Sequence, residues 1–284
     1  MCDVNMKATR IRLYIFILTV IVCITVSCTS ISTQTYTVDT PLLEEQSVIK
    51  IVLISDLHST IFGKNQSVLI DMVREIEPDL IILSGDIIDD VVPVTGTRLL
   101  LSGISGMAPI YYVTGNHEYR SRKIHGIREE LMSYGVIILS DSYVKIEINN
   151  NEIIIAGVDD PDKKIYETPN YNQNESMENA FRELDKEPLY KILIAHRPER
   201  IESYKRYSFN LVLSGHTHGG QVRFPPLING LFAPHQGFFP KYSGGIYTHG
   251  NLKHIVSRGL SVTPGLPRIF NPPELVVVIL ESNK

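Results

Sequence analysis

The chain of 284 residues has no tryptophan and only three cysteines, Cys2, Cys23 and Cys28, all near the N-terminus. The remaining body therefore carries neither a disulfide framework nor a cysteine nucleophile. Basic charge is not in excess: 27 Lys and Arg stand against 31 Asp and Glu, a formal net charge of -4. Such a balance lacks the electrostatic footprint of a polyanion binder, so no nucleic acid is expected as partner. Long apolar runs are missing too. The longest, Leu13 to Val26, is about fourteen residues, short of the ~20 that span a bilayer comfortably. What is present is ordinary for a globular protein, with 43% hydrophobic and 20% charged residues, enough for one large domain or two small ones.

The apolar run follows Lys7, Arg10 and Arg12, so residues 1–28 read as a signal peptide or membrane anchor. The basic flank would stay cytoplasmic and leave the body at the outer face of the cell membrane. Val26-Ser27-Cys28 has the look of a lipoprotein signal, with Cys28 as the acylated residue, although Thr25 stands where an aliphatic side chain is usual. Residues 29–47, rich in Ser and Thr as far as Thr40, read as a tether, and 48–284 as the functional domain.

That domain opens with Val48 to Ser55, a β-branched run that predicts a buried parallel strand ending in Asp56-Leu57-His58. A helix with Val68, Leu69, Met72, Val73 and Ile76 at helical spacing follows, closed by Glu77-Pro78. Strands at Leu80–Leu83 and Ile110–Val113 deliver Gly85-Asp86-Ile87-Ile88-Asp89 and Gly115-Asn116-His117-Glu118, with a weaker helix over Thr97–Ser105 between them. This β-α-β-α-β rhythm predicts a parallel sheet with ligands outside the carboxyl ends of its strands. A helix near Ile124–Tyr134 then leads to strands at Val136–Leu139, Val144–Ile148 and Ile153–Ala156, the last two joined at Asn149-Asn150-Asn151. After a helix over Met177–Leu184, strands at Ile192–Ala195 and Leu211–Leu213 end in His196 and in Ser214-Gly215-His216-Thr217-His218-Gly219-Gly220-Gln221. A closing strand covers Leu275–Leu280.

An H-x-H or D-x-H pair on extended backbone aims both side chains to one side, which suits a metal site. Asp56, His58, Asp86, Asn116, His196, His216 and His218 each follow a predicted strand and each offers oxygen or imidazole nitrogen. Seven such groups exceed one tetrahedral ion and suit two divalent transition-metal ions sharing a carboxylate, for which Asp86 is the natural bridge. Ions bridged in this way lie ~3.5–4 Å apart and can clamp both reacting oxygens of a phosphoryl group. Manganese, iron or zinc all suit a mixed nitrogen and oxygen site.

In the order Asp56-x-His58, Gly85-Asp86-x-x-Asp89, Gly115-Asn116-His117-Glu118, His196 and Gly215-His216-x-His218, the chain resembles a calcineurin-like metallophosphoesterase. The strings Ser214–Gln221, Val256-Ser257-Arg258-Gly259-Leu260 and Asn271-Pro272-Pro273-Glu274 resemble its membrane-associated bacterial branch, although Ser59-Thr60 departs from that branch's usual leucine-glycine. The resemblance implies an α/β fold, a four-layer α/β/β/α sandwich. It also implies one ion on Asp56, His58, Asp86 and His218, and the other on Asp86, Asn116, His196 and His216. His117 would face the leaving oxygen and Asp89 would orient it. Arg258 is a candidate substrate contact, with an ordinary ion pair as the alternative for it and for Arg197. His125, His235, His249 and His254 belong to no motif and read as surface residues.

The expected activity is dinuclear-metal hydrolysis of a phosphodiester or pyrophosphate in a membrane lipid or envelope substrate. The alternatives are a phosphomonoesterase, a nucleotide phosphodiesterase, or a metal-binding surface protein without turnover. Phe224, Leu227, Leu231, Phe232, Phe238 and Phe239 form either a packed cluster or an apolar rim that docks on lipid.

Overall fold

The structure is a computed structural model that describes residues 10–18, 30–262 and 268–283. Runs rich in β-branched residues and leucine, with Lys50 and Lys191 among them, make the central strands, and most of their side chains are buried on both faces. In the first sheet β2 (Val48–Ile54), β3 (Leu80–Ser84), β4 (Ile110–Val113) and β5 (Val136–Ile138) run parallel. β14 (Glu274–Ser282) joins β2 antiparallel, and β1 (Ser32–Thr40) joins β14 parallel, giving the order β1-β14-β2-β3-β4-β5. The second sheet contains β6 (Ser142–Ile148), β7 (Asn151–Gly157), β8 (Tyr190–Ile194), β9 (Leu211–Ser214), β12 (Gly245–His249) and β13 (Leu252–Val256). Its order is β12-β13-β9-β8-β7-β6. A small hairpin, β10 (Phe232–Ala233) and β11 (Gly237–Phe238), stands apart.

Period-2 alternation sorts the apolar side chains into three layers. Ile49, Ile51 and Leu53 of β2 meet Ile153, Ile155, Ile192, Ile194 and Leu211 between the sheets. The alternate residues Val52 and Ile54 face α2 (Ser67–Ile76), α3 (Thr95–Ile104) and α5 (Ile124–Ser133) through Leu69, Val73, Leu100 and Leu131. On the far side Ile154, Leu193 and Val212 pack on Met177 and Phe181 of α7 (Gln173–Phe181) and on Tyr204 of α8 (Ile201–Tyr204). The result is the expected four-layer α/β/β/α sandwich. Each fully buried Ile or Leu contributes about 1.5–3 kcal/mol over an exposed one.

One expectation is overturned. Most of the proposed tether is a strand, since Ser32–Thr40 pairs with Glu274–Ser282 along its whole length. Val38 and Thr40 are buried and Thr33, Thr35, Thr37 and Asp39 exposed, a half-buried alternation that composition alone presented as a linker. Leu43 is fully buried in the inter-sheet core. The folded body thus begins before Val48.

The first helix described, α1, covers residues 10–18, and its apolar side chains are exposed. Among the described residues no helix is long and apolar enough to cross a membrane. Most of the Leu13–Val26 run, with Cys23 and Cys28, lies outside the described residues.

Candidate metal centre

All seven expected ligands gather at the carboxyl ends of adjacent strands, where the two sheets meet. Asp56 and His58 follow β2, and Asp86 follows β3. Asn116 opens α4 (Asn116–Arg120) beyond β4, His196 follows β8, and His216 and His218 follow β9. Backbone bonds lock these loops together: Asp56 N donates to Gly85 O at 3.1 Å, His58 N to Asp86 O at 2.9 Å and Gly215 N to His196 O at 3.1 Å. A Cβ on Gly215 would lie 1.7 Å from Ser55 Oγ and 2.4 Å from Asp56 Oδ2, so only glycine lets the two sheets' loops approach this closely.

The ligand loops are not extended. Asp56, His58, Asp86, His216 and His218 all have positive φ, between 46° and 72°. Left-handed backbone at residues with side chains costs free energy and persists where surrounding structure imposes it. Its consequence corrects the simple i, i+2 picture, because His216 and His218 are split between two groups. Asp56, His58 and His218 form one, Asp86, His196 and His216 the other, each with candidate donor atoms within 4.8 Å of one another. Asp86 Oδ2 lies 3.2 Å from His196 Nε2 and 3.7 Å from His58 Nε2, and so faces both groups.

The donors fit two cations. His58 Nε2 and Asn116 Oδ1 are buried without a hydrogen-bond partner, and these are the atoms a metal would take. The opposite ring nitrogens are occupied. His196 Nδ1 meets Ser84 O at 2.8 Å, His58 Nδ1 meets Asp89 Oδ2 at 2.8 Å and His218 Nδ1 meets Ser261 Oγ at 3.1 Å. Each leaves Nε2 as the inward donor, the arrangement by which outer partners orient metal-binding histidines. His216 is reversed, its Nδ1 3.2 Å from His196 Nε2 and its Nε2 2.9 Å from His235 Nδ1.

Buried Glu118 organises the same loops. Its carboxylate accepts from the N–H groups of Asp86, Ile87, Ile88 and Gly115 at 2.7–3.0 Å, which holds the Asp86 turn against α4. Asp86 Oδ1 accepts from His117 N at 2.8 Å. Burial works against ionisation of Asp86, yet His196 and His58 hold its pKa well below the carboxylate range. The same contact outweighs the desolvation of His196 and lifts its pKa to about 10. His218, desolvated and only partly compensated by Asp56, is pushed down to about 3.

His117 lies beside the ligands, its ring edge-on to His58 with centroids 4.4 Å apart. Its Nδ1 is 2.6 Å from Asp90 Oδ1 and 3.3 Å from Asp89 Oδ2. Asp90 is therefore the nearer partner of His117, and Asp89 lies closer to His58 than to His117 while touching both. Burial and Arg120 lower the pKa of His117, but Asp89, Asp86 and Asp90 raise it to about 9, which favours the protonated imidazole. That is the protonation state of a general acid.

Other residues fall differently from expectation. Arg258 turns away from the ligands, its Nε paired with Glu274 and its Nη2 3.2 Å from Ser32 Oγ, so the structure does not make it a substrate contact. Arg197 is the expected ion pair, at 2.6 Å from Asp160 Oδ2 and 3.0 Å from Asp162 Oδ1. His125 is exposed, and His249 is half-buried. His254 is fully buried. His235, taken for a surface residue, is exposed but lines the cavity at the site, with Arg197 Nη1 2.6 Å from its Nδ1. That guanidinium occupies the position a further cation near Glu199, His216 and His235 would need. No local motif marks His235, because a long excursion brings it back. Arg120 was legible in principle, four residues beyond Asn116 and hence on the same helix face.

The family model for calcineurin-like phosphoesterases matches residues 49–220. The chain belongs to that family. Bacillus subtilis YpbG is 30% identical over 253 residues, covering 87% of this chain and 86% of that protein. The uncharacterised metallophosphoesterase YkuE of the same organism is 29% identical over 245 residues, covering 82% and 79%. A Danio rerio transmembrane protein with metallophosphoesterase domain is 32% identical over 195 residues, 65% of this chain and 43% of that longer protein. Among solved structures, Haemophilus influenzae NAD nucleotidase aligns with a TM-score of 0.54 at 15% identity, covering 76% of this chain and 46% of that one, which shows a shared fold. As a member of this family the chain is a metal-dependent phosphoric ester hydrolase.

Proposed function

We propose that the enzyme hydrolyses a phosphodiester or pyrophosphate linkage in a lipid or envelope molecule, with its catalytic body at the outer face of the cell membrane. Two divalent ions held by Asp56, His58, Asp86, His218, Asn116, His196 and His216 would supply Lewis acidity and a nucleophilic water at neutral pH. The chain's own residues do the rest. Asp90 and Asp89 fix Nδ1 of His117, and Nε2 delivers a proton to the departing oxygen. Glu118 holds Asp86 in register, and His235 with Arg197 braces the outer edge of His216.

The observation that carries the lipid reading is the loop beyond the ligands. Leu227, Phe238 and Phe239 are 87%, 71% and 67% exposed, and Phe224, Phe232 and Phe270 are also exposed. This loop is anchored at the site, since Leu231 N donates to Gly220 O at 3.0 Å and Pro234 lines the cavity with His216 and His218. An apolar rim at the mouth of a polar site suits a substrate presented at a lipid surface. The basic and apolar N-terminal segment agrees with that placement.

Two measurements test it. Phospholipid dispersed in detergent is expected to be cleaved with higher kcat/KM than a soluble nucleotide with the same linkage, and Phe238→Ser should reduce only the former. A preference for the soluble nucleotide, unchanged in the variant, would leave a nucleotide phosphodiesterase. Protease added to spheroplasts should digest the body, whereas full protection would place it inside.

A further inference from the structure

Arg120 ends α4 four residues after Asn116, and it lines a cavity of about 140 Å³ together with Asp86, Asn116 and His117. Its Nη1 stands 3.4 Å from Nε2 of His117. Because Asp90 holds Nδ1 of that ring, Nε2 is the nitrogen left to meet a departing oxygen. The guanidinium is thus on the leaving-group side of the cavity. Two other arginines near the site are committed to carboxylates, Arg197 to Asp160 and Asp162 and Arg258 to Glu274, while buried Arg268 donates Nε to Ser261 O beside His218. Among the described residues Arg120 has no carboxylate within 4 Å, and its side chain is exposed toward solvent.

We infer that Arg120 binds an anionic leaving group, and that the linkage this site cleaves is a pyrophosphate. The inference rests on the phosphoesterase reading of the metal centre and narrows it. A neutral alcohol leaving from phosphorus needs only a proton, which His117 supplies. A phosphate leaving group carries charge and unshared oxygens of its own, which the planar fork of a guanidinium matches better than an imidazole does. In the reaction the oxygen of water bonds to the attacked phosphorus and the bridging P–O bond breaks. The bridging oxygen departs on the second phosphate, whose charge Arg120 meets, and the protons of water end on the two phosphate products and solvent. Lipid-linked and soluble pyrophosphates share this chemistry.

The test compares wild type with Arg120→Gln, both loaded with manganese, on farnesyl pyrophosphate in detergent, on ADP-ribose, and on bis(4-nitrophenyl) phosphate. Loss of one charge-assisted contact should lower kcat/KM about 10–100-fold on a pyrophosphate and less than about 3-fold on the diester. Arg120→Lys should recover part of that loss. Calorimetry gives a second readout, in which methylenediphosphonate should bind Arg120→Gln about 10-fold more weakly while methylphosphonate changes little. Activity on farnesyl pyrophosphate alone would place the linkage on a lipid, and activity on ADP-ribose alone would place it on a nucleotide. Equal loss on all three substrates, or none on the pyrophosphates, overturns the inference while leaving a phosphoesterase. A wild-type enzyme that turns over none of them overturns the phosphoesterase reading itself.

Discussion

Asp89 accepts a hydrogen bond from Nδ1 of the candidate ligand His58 at 2.8 Å, closer than its 3.3 Å approach to Nδ1 of the candidate acid His117. The acid's nearer partner is the adjacent Asp90, at 2.6 Å. Neighbouring carboxylates therefore divide two tasks that one residue was expected to perform. Asp89→Asn should weaken metal retention by about 10–100-fold, the usual cost of losing an outer partner of a histidine ligand. Asp90→Asn should retain its metal and lose kcat instead. Metal titration and steady-state kinetics on both variants check this division, and interchangeable phenotypes would refute it.

A related expectation concerns the shared carboxylate. Asp86 Oδ2 faces His196 and His58, and its other oxygen anchors His117 N. Asp86→Ala should therefore deplete both ions together, from about two per chain to well under one. Elemental analysis of folded variant, with the fold checked by circular dichroism, reports the result. Loss of a single ion would show that the carboxylate serves one group only.

The gathering of the candidate ligands was legible because apolar strand runs end in Asp, His or Asn, and parallel strands collect their ends in one place. How the ligands divide was not legible from spacing. His216 and His218 part company through left-handed φ values of 72° and 48°, which no i, i+2 rule anticipates. β1 escaped for a different reason. Thr33, Thr35 and Thr37 occupy the solvent face of an edge strand, so Thr33 to Thr37 looked like linker composition while Tyr36 and Val38 alternated inward. His235 and Asp90 required tertiary contacts, as did the partner of Arg258, since Glu274 of its ion pair lies in β14.

Buried His254 gives the fold an acid-sensitive point outside the candidate ligand set. It packs among Tyr242, Tyr247 and His249 with Nε2 3.2 Å from Ser214 Oγ, and burial followed by the nearby His249 pushes its pKa down to about 3. The unfolded chain takes up this proton near pH 6.5 and the native state does not, so stability falls as pH drops through the window from 6.5 to 3. By pH 5 the loss from this one group should be about 2 kcal/mol. His254→Gln, which keeps a hydrogen bond to Ser214 within reach, should lose about 2 kcal/mol less than wild type between pH 7 and 5. Urea unfolding at the two pH values measures the difference, and parallel losses would mean that the imidazole protonates in the native state.

His117 separates binding from chemistry most sharply. It lies outside the two groups that hold the seven expected ligands, with Nδ1 tied to Asp90 and Nε2 facing Arg120 in the cavity, although His58, Asp89 and His117 also bring donor atoms within 4.8 Å of one another. His117→Ala should therefore keep its metals yet lose ~10²–10⁴ in kcat, the range of a general acid. The loss should depend on the leaving group. An alkyl ester must be protonated as the bond breaks and should suffer the full penalty, whereas 4-nitrophenolate departs as a stable anion and should suffer much less. His117→Ala measured on a matched pair of alkyl and nitrophenyl diesters, with metal content determined on the same samples, decides the point. Equal losses on the two esters at unchanged metal content would remove proton donation from its role and leave His117 to position substrate.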